Sequence, residues 1–187
     1  MTPYCVAVID HCRRHWRAEP AVLRHSHGPV QELPREFRVL EFPPTENRSM
    51  WAYATCCVGL TSDYKPIELC LYSPVQEKLH VELLTVVAHY HRTEARLDLG
   101  HTVNFGRPWL SNSLCEFGLI SLPYLDGPSL ECLDVQDPEL HVSCYWLIPI
   151  TKMERDFKAT HGGAALEERF EGTQFNYLDP HRTSVVT

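Results

Sequence analysis

The sequence predicts an α+β fold, in which a mixed, mainly antiparallel β-sheet is flanked by helices. Two observations support this class: a strand-rich middle lies between segments of helical periodicity, and turns containing Pro or Gly separate the strands. We expect one domain over residues 1–187, because no repeat or linker interrupts it. Its core would span about residues 36–171, preceded by a helix and loop at 1–35 and followed by a tail at 172–187 that is peripheral or frayed.

The first half of the chain predicts a helix and three strands. Residues 4–17 repeat apolar side chains at helical spacing, which places on one face Cys5, Ile9, Cys12 and Trp16. A loop rich in Pro, Gly and His follows at 19–34. Residues typical of β-structure then predict strands at 37–42, 50–60 and 67–72. The last two should form a hairpin, with a turn at residues 62–66.

The second half begins with the longest helical segment, at residues 76–95. Its expected buried stripe consists of Leu79, Leu83, Val86, Val87 and Tyr90. Residues 100–108 are irregular, and strands are predicted at 115–122, 130–135 and 141–148, the last ended by Pro149.

A helix should begin at Thr151, which forms a capping box with Glu154. Met153 and Phe157 should pack inward from this helix. His161-Gly162-Gly163 ends it, and a short helix follows at 164–170.

Charge and composition exclude several classes of function. The net charge of −7 argues against nucleic-acid binding and against a polybasic membrane anchor. No apolar stretch is long enough to span a membrane, and the first residues do not resemble a signal peptide, so we expect a cytoplasmic protein. The eight cysteines include no C-x-x-C pair, and we expect free, mostly buried thiols.

Several blocks of sequence carry a family resemblance. The clearest is residues 146–170, WLIPITKMERDFKATHGGAALEERF. Residues 51–55 (WAYAT), 59–64 (GLTSDY) and 67–69 (IEL) form a second group, and the helix up to Tyr90 with residues 100–103 (GHTV) forms a third. Taken in chain order, from about residue 46 to residue 171, the blocks resemble those of bacterial suppressor-of-fused domain proteins, over about two-thirds of the chain.

The resemblance implies a fold like the N-terminal lobe of the animal members. Those members restrain a zinc-finger transcription factor by holding a short peptide as an added strand, many bacterial members lie beside toxins as immunity proteins, and none is known as an enzyme. Tyr90 and His101 match positions near the animal peptide groove. An acidic residue expected before the histidine is absent, because this chain has Leu99-Gly100-His101. We therefore expect a different partner, bound at a strand edge or groove.

Five residues are the predicted protein-binding positions. Asp63 and Tyr64 lie in a predicted turn, where Asp63 is more simply explained by bonds to turn amides, and Tyr90 and His101 follow from the resemblance. Trp109, beside Pro108, is expected to be exposed like Tyr64, in a patch that could also include Trp51 and Tyr53. Core packing explains Trp51 and Trp146 equally well. No catalytic residue, metal or cofactor is predicted.

The favoured hypothesis is a non-catalytic domain, immunity-type or regulatory, that binds and blocks a protein partner such as a toxin domain. The alternative is a small metal-dependent hydrolase that uses convergent histidines. His11 and His15 are four apart on a helix but are expected in solvent, and His89 and His91 diverge in angle. His25 and His27 could converge within a loop. A self-associating scaffold is a third hypothesis, and the oligomeric state is left open.

Overall fold

A computed structural model describes residues 1–25, 30–59, 65–133, 141–173 and 175–187. In chain order the helices are α1 (Pro3–Trp16), α2 (Lys78–Thr93), α3 (Pro128–Glu131), α4 (Lys152–His161) and α5 (Gly163–Gly172). The strands are β1 (Ala21–Leu23), β2 (Arg38–Phe42), β3 (Trp51–Cys56), β4 (Ile67–Ser73), β5 (Thr102–Asn104), β6 (Cys115–Ser121), β7 (Cys132–Leu133) and β8 (Val142–Thr151). Among the described residues, no helix is both long and apolar enough to cross a membrane.

The fold divides into two compact units, and β8 passes from one into the other. The first unit contains Met1–Leu97 and Leu122–Trp146, and the second contains Asp98–Ser121 and Leu147–Thr187. The domain boundaries given by the sequence stay a prediction.

In the first unit the strands are ordered β1-β2-β3-β4-β8, with β7 also paired to β8. The pairs are antiparallel, except that β4 runs parallel to β8 from Ile67↔Ser143 to Cys70↔Trp146. All seven residues of β4 are buried, as is usual for a strand with a parallel neighbour. The predicted mixed, mainly antiparallel sheet is therefore confirmed, as is the β3–β4 hairpin.

Helix α1 begins at Pro3, one residue before its predicted start. Thr2 accepts a hydrogen bond from the Cys5 backbone N–H, and Pro3 occupies the first turn, where a missing N–H costs nothing. The helix ends at Arg17, whose φ of 51° is in the left-handed region. The predicted apolar face is confirmed, since Cys5, Ile9, Cys12 and Trp16 are all buried.

Helix α2 is rotated relative to the face predicted for it. Leu83 and Val87 are buried as expected, but Val86 and Tyr90 are 39% and 38% exposed. The buried face also includes His80, Val81, Leu84, Thr85, Ala88 and His91. The predicted stripe is wrong for Val86 and Tyr90, because the core accepts these hydrogen-bonded polar residues in place of two apolar ones.

In the second unit β6 lies between β8 and β5, and β5 pairs antiparallel with β6. Gly118 of β6 has no space for a side chain, since a Cβ atom would collide with Leu147 and Phe105. The predicted capping box at Thr151 and Glu154 is present in α4, and Gly162 ends this helix with a φ of 91°. Both helices predicted from the C-terminal segment are thus confirmed.

Other sequence predictions are corrected by the structure. The short strands β1 and β5 lie in segments predicted to be irregular. The strand predicted at 130–135 consists of the end of α3 followed by β7, and its last two residues lie outside the described ranges. Strand β8 continues through Pro149 to Thr151, because a proline removes only its own donor from a strand. Met153 is 51% exposed rather than packed inward.

Candidate functional site

A buried carboxylate in β4, Glu68, holds the turn that follows β3. Its oxygens accept hydrogen bonds from the Tyr4 hydroxyl at 2.9 Å and the Thr55 hydroxyl at 2.5 Å. The backbone N–H groups of residues 57–59 also donate to it, at 2.9 to 3.4 Å. A side chain at position 59 would collide with Pro66 and with the Tyr4 hydroxyl, so glycine is required there. Glu68 therefore fixes the backbone leading into residues 60–64.

The electrostatics of Glu68 are set by its burial. Desolvation raises the pKa of its carboxyl to about 7, although the hydrogen bonds from Thr55, Tyr4 and the backbone oppose the shift. A carboxyl with such a pKa is a common feature of catalytic acids and bases. Here five donors surround it, and it is 1% exposed, which indicates an architectural role.

A second carboxylate, Asp126, joins the loop before α3 to the end of α1. It accepts hydrogen bonds from His15 Nε2 at 3.0 Å, from Trp16 Nε1 at 2.9 Å, and from the Tyr72 hydroxyl. Burial alone would raise the pKa of Asp126, but these hydrogen bonds outweigh it and lower the pKa below its usual value. The charged carboxylate is thus the form that the surrounding donors stabilise.

A third carboxylate, Glu154, anchors the C-terminal residues in the second unit. Arg182 binds it through two nitrogens, at 2.6 and 2.8 Å, and the Thr151 and Val185 backbone N–H groups complete its partners. Desolvation is outweighed by Arg182, so the pKa of Glu154 is lowered. Arg182 is only 8% exposed. Fraying, one of the two alternatives for this tail, is excluded at Arg182 and Val185, because both are bonded to the buried Glu154.

Three cysteines form a sulfur cluster beside Glu68. Cys5 and Cys57 are joined in a disulfide, and the Cys56 Sγ lies 3.7 Å from the Cys57 Sγ. The prediction of free thiols is wrong for this pair, because the Glu68 turn brings β3 against the start of α1. Cys12, Cys56, Cys70, Cys115, Cys132 and Cys144 have free thiols, all buried except Cys132.

The sulfur cluster is also the group that could hold a soft metal ion within the described part of the chain. A metal would need thiolates, and the disulfide commits two of the three sulfurs. Burial further raises the pKa of the Cys56 thiol, which disfavours the ligating form. The arrangement fits a structural crosslink better than a metal centre.

A cavity of about 610 Å³ lies against the disulfide. It is lined by Cys5 and Cys57, by residues 32–36, and by Arg92 of α2. Glu36 lies on its wall, where the Thr2 backbone N–H and the N-terminal ammonium group lower the pKa of its carboxyl to about 2. Its polar lining combines acidic and basic groups, so the cavity does not select one ligand charge.

The predicted protein-binding residues have different environments. Tyr90 is partly exposed on α2, in the first unit, beside Val86 one turn earlier. His101 is exposed in the second unit, and its Nδ1 accepts a hydrogen bond from the Asp98 backbone N–H at 3.2 Å. Asp63 and Tyr64 lie outside the described residues. The predicted exposure of Trp109 is wrong.

Trp109 is buried because its polar atom has a local partner. It is 1% exposed, and its Nε1 donates to the Ser113 hydroxyl at 3.0 Å, so the indole loses no hydrogen bond on burial. Tyr53 is also buried, with its hydroxyl accepting from the Glu77 backbone N–H. An exposed aromatic patch that includes Tyr53 and Trp109 is therefore excluded, whereas the predicted core position of Trp146 is confirmed.

Several of the described histidines are used in structural hydrogen bonds. His11 is 8% exposed, with its Nε2 near the Leu130 carbonyl oxygen, and His15 binds Asp126, so the prediction that both are in solvent is wrong. His91 Nδ1 accepts from the Leu97 backbone N–H, and His89 lies 3.6 Å from Glu32. His27 lies outside the described residues. Within the described ranges, no group of three potential ligands includes a histidine.

The comparisons with known proteins agree on one family. The family model for suppressor of fused protein matches residues 34–183. A crystal structure of a suppressor of fused homolog from Neisseria gonorrhoeae FA 1090 is similar at a TM-score of 0.86 and 32% identity, covering 98% of this chain and 97% of that one. No curated protein sequence matches significantly.

Two further crystal structures share the fold at low identity. A chain from the Sufu–Fu complex has a TM-score of 0.72 at 15% identity, covering 98% of this chain and 92% of that one. Drosophila Suppressor of Fused has a TM-score of 0.69 at 14% identity, covering 98% of this chain and 51% of that one.

Proposed function

The chain belongs to the suppressor of fused family, and from this premise we propose that it is a non-catalytic domain that binds and blocks a protein partner. The observation that carries the proposal is the shared fold with a chain solved in the Sufu–Fu complex. The partner of this chain would be a toxin domain or a regulatory protein, and the domain would act as an immunity-type antagonist.

The chemistry of the buried groups supports a binding role over catalysis. Glu68, Asp126 and Glu154 each accept three or more hydrogen bonds from within the fold. A catalytic carboxyl needs a lone pair or proton directed at a substrate. Because all three carboxylates accept hydrogen bonds from donors within the fold, they stabilise the structure.

The exposed face of α2 is the best-supported place for the partner in the first unit. Leu79, Glu82, Val86 and Tyr90 are spaced three and four residues apart, so they share one side of the helix. Tyr90 offers an aromatic ring and a hydroxyl, a combination enriched in protein interfaces. His101, in the second unit, and Asp63 and Tyr64, which lie outside the described residues, are proposed contacts independently of this face.

Charge favours a basic partner. The chain has 24 acidic and 17 basic residues, so a cationic toxin would be attracted over distance and would associate faster at low salt. Binding would then block the toxin sterically, without chemistry on either chain.

The direct test is coexpression with the toxin domain encoded next to this chain, combined with purification of the pair. We expect growth to be restored and a stable complex to form. Tyr90→Ala should weaken the complex by about tenfold or more, as for an interface tyrosine. Tyr124→Ala is the matched control, because Tyr124 is a more exposed tyrosine outside α2. An active toxin that neither binds nor is neutralised would refute the immunity proposal.

A further inference from the structure

A second cavity lies in the first unit, at the C-terminal end of α1. Its volume is about 460 Å³, within the range of sites for small organic molecules. The residues that determine its chemistry are His15, Arg17, Asn47, Arg48, Met50 and Asp126. The predicted protein-binding residues do not line it, so it requires a separate explanation.

The cavity is cationic although the chain as a whole is acidic. Arg17 and Arg48 both line it, whereas Asp126 is the single acidic residue among its lining residues. The Asp126 carboxylate is already occupied by His15, Trp16 and Tyr72. Two guanidinium groups against one carboxylate leave a net positive charge in the lining, which favours an anionic ligand.

Arg48 is held in place before any ligand arrives. Its Nε donates to the Met50 carbonyl oxygen at 3.1 Å and its Nη2 to the Pro43 carbonyl oxygen at 2.7 Å. The guanidinium also lies over the Trp16 ring, 5.4 Å from the ring centroid. A side chain fixed in this way loses little conformational entropy when it binds a ligand.

One part of the Arg48 guanidinium has no acceptor. Its Nη1 is buried and has no hydrogen-bond partner among the described residues. A buried charged donor without an acceptor is costly, and a small movement of the guanidinium would bring Nη1 to an oxyanion in the cavity. Asn47 and Thr45 add a side-chain amide and a hydroxyl to the same lining, and both can donate to oxygen.

We propose that this cavity binds a small organic oxyanion, either a carboxylate or a phosphate monoester, through Arg48 and Arg17. The apolar part of the ligand lies against Met50 and Leu125, which also line the cavity. The site does not depend on the protein-binding proposal, because its assay contains no protein partner.

The test is calorimetric titration with benzoate and with phenyl phosphate at constant ionic strength, alongside acetate and inorganic phosphate. We expect saturable binding of one aromatic anion, and the tighter of the two identifies the head group. Arg17→Gln should raise its Kd by about five- to tenfold, the effect of one charge-assisted hydrogen bond. Arg48→Lys should weaken binding at least as much, because lysine lacks the planar fork.

Arg14→Gln is the matched control, since Arg14 is exposed on the same helix, does not line the cavity and carries the same charge. It should change the Kd by less than about twofold. Absence of saturable binding would overturn the proposal. Equal weakening by Arg14→Gln and Arg17→Gln would also overturn it, because it would indicate diffuse surface charge. If Arg48→Lys does not fold, the comparison of Arg17 with Arg14 decides the question.

Discussion

The opposing titrations of Glu68 and His80 predict how the stability of the fold depends on pH. Burial raises the pKa of the Glu68 carboxyl from 4.5 to about 7. Burial lowers the pKa of His80 from 6.5 to about 4, because its imidazole is enclosed between Ser73 and the Tyr53 ring. Both groups are therefore neutral in the folded protein between pH 4.5 and 6.5 and charged in the unfolded chain.

Titration of Glu68 and titration of His80 change the free energy of unfolding with pH in opposite directions. Glu68 binds a proton in the folded state that the unfolded chain has lost, so its stabilisation is complete below pH 4.5 and is lost as the pH rises towards 7. His80 binds a proton only when unfolded, so its stabilisation is complete above pH 6.5 and is lost as the pH falls towards 4. Each contributes about 1.4 kcal/mol per pH unit, or about 3 kcal/mol across this window.

The free energy of unfolding of the native chain should therefore change little between pH 4.5 and 6.5. His80→Gln removes the opposing group, so its stability should fall by about 3 kcal/mol as the pH rises through this window. Glu68→Gln should show the reverse slope. Lowered pKa values at Asp126 and Glu154 affect stability only below this window.

Urea unfolding followed by circular dichroism at four pH values would measure these slopes. The slopes are read rather than the absolute stabilities, because both variants also lose hydrogen bonds. Glu41→Gln is the control, as a buried glutamate in β2, two strands away from β4. Parallel pH profiles for Glu68→Gln and His80→Gln would refute the reasoning.

The further predictions concern two contacts that join distant segments. Arg182→Gln should lower the free energy of unfolding by about 3–5 kcal/mol in urea, since it leaves the buried Glu154 without its cation, whereas the exposed Arg169→Gln should have little effect. The unfolded protein should titrate six thiols without reductant and eight after reduction, and eight in both cases would exclude the Cys5–Cys57 disulfide. Because 52 residues separate these cysteines, their crosslink should contribute about 4 kcal/mol, measured as the loss in Cys5→Ser beside a Cys132→Ser control.

Local sequence patterns predict a structural element correctly where the interactions that form it join residues close together in the chain. The capping box at Thr151 and Glu154 requires partners three residues apart, so it could be predicted from the sequence. The hairpin of β3 and β4 similarly follows from two β-forming segments adjacent in the chain. In each case the interaction that decides the conformation lies within the window that the sequence pattern covers.

The sequence-based predictions were wrong where the position of a side chain depends on a partner far away in the chain. Arg182 pairs with Glu154, 28 residues away, and no local pattern in the polar tail indicates this partner. The helical pattern predicts His15 in solvent because it lies opposite the Ile9 and Trp16 face, and this pattern cannot indicate an acceptor 111 residues away, Asp126. One signal was available for Glu68, since a charged residue between apolar neighbours in a predicted strand must be paired if the strand is buried.

Helix α2 shows why the predicted binding surface was harder to locate than the fold. Apolar residues occur on two sides of this helix, so periodicity alone could not decide which side faces the core. The side of α2 that carries His80 and His91 faces the core, since each histidine has a hydrogen-bond partner there. The partner of His80 is Ser73, and that of His91 is the Leu97 backbone. This choice leaves Val86 and Tyr90 at the surface, so the polar residues of the helix determine which apolar side chains remain available to a partner.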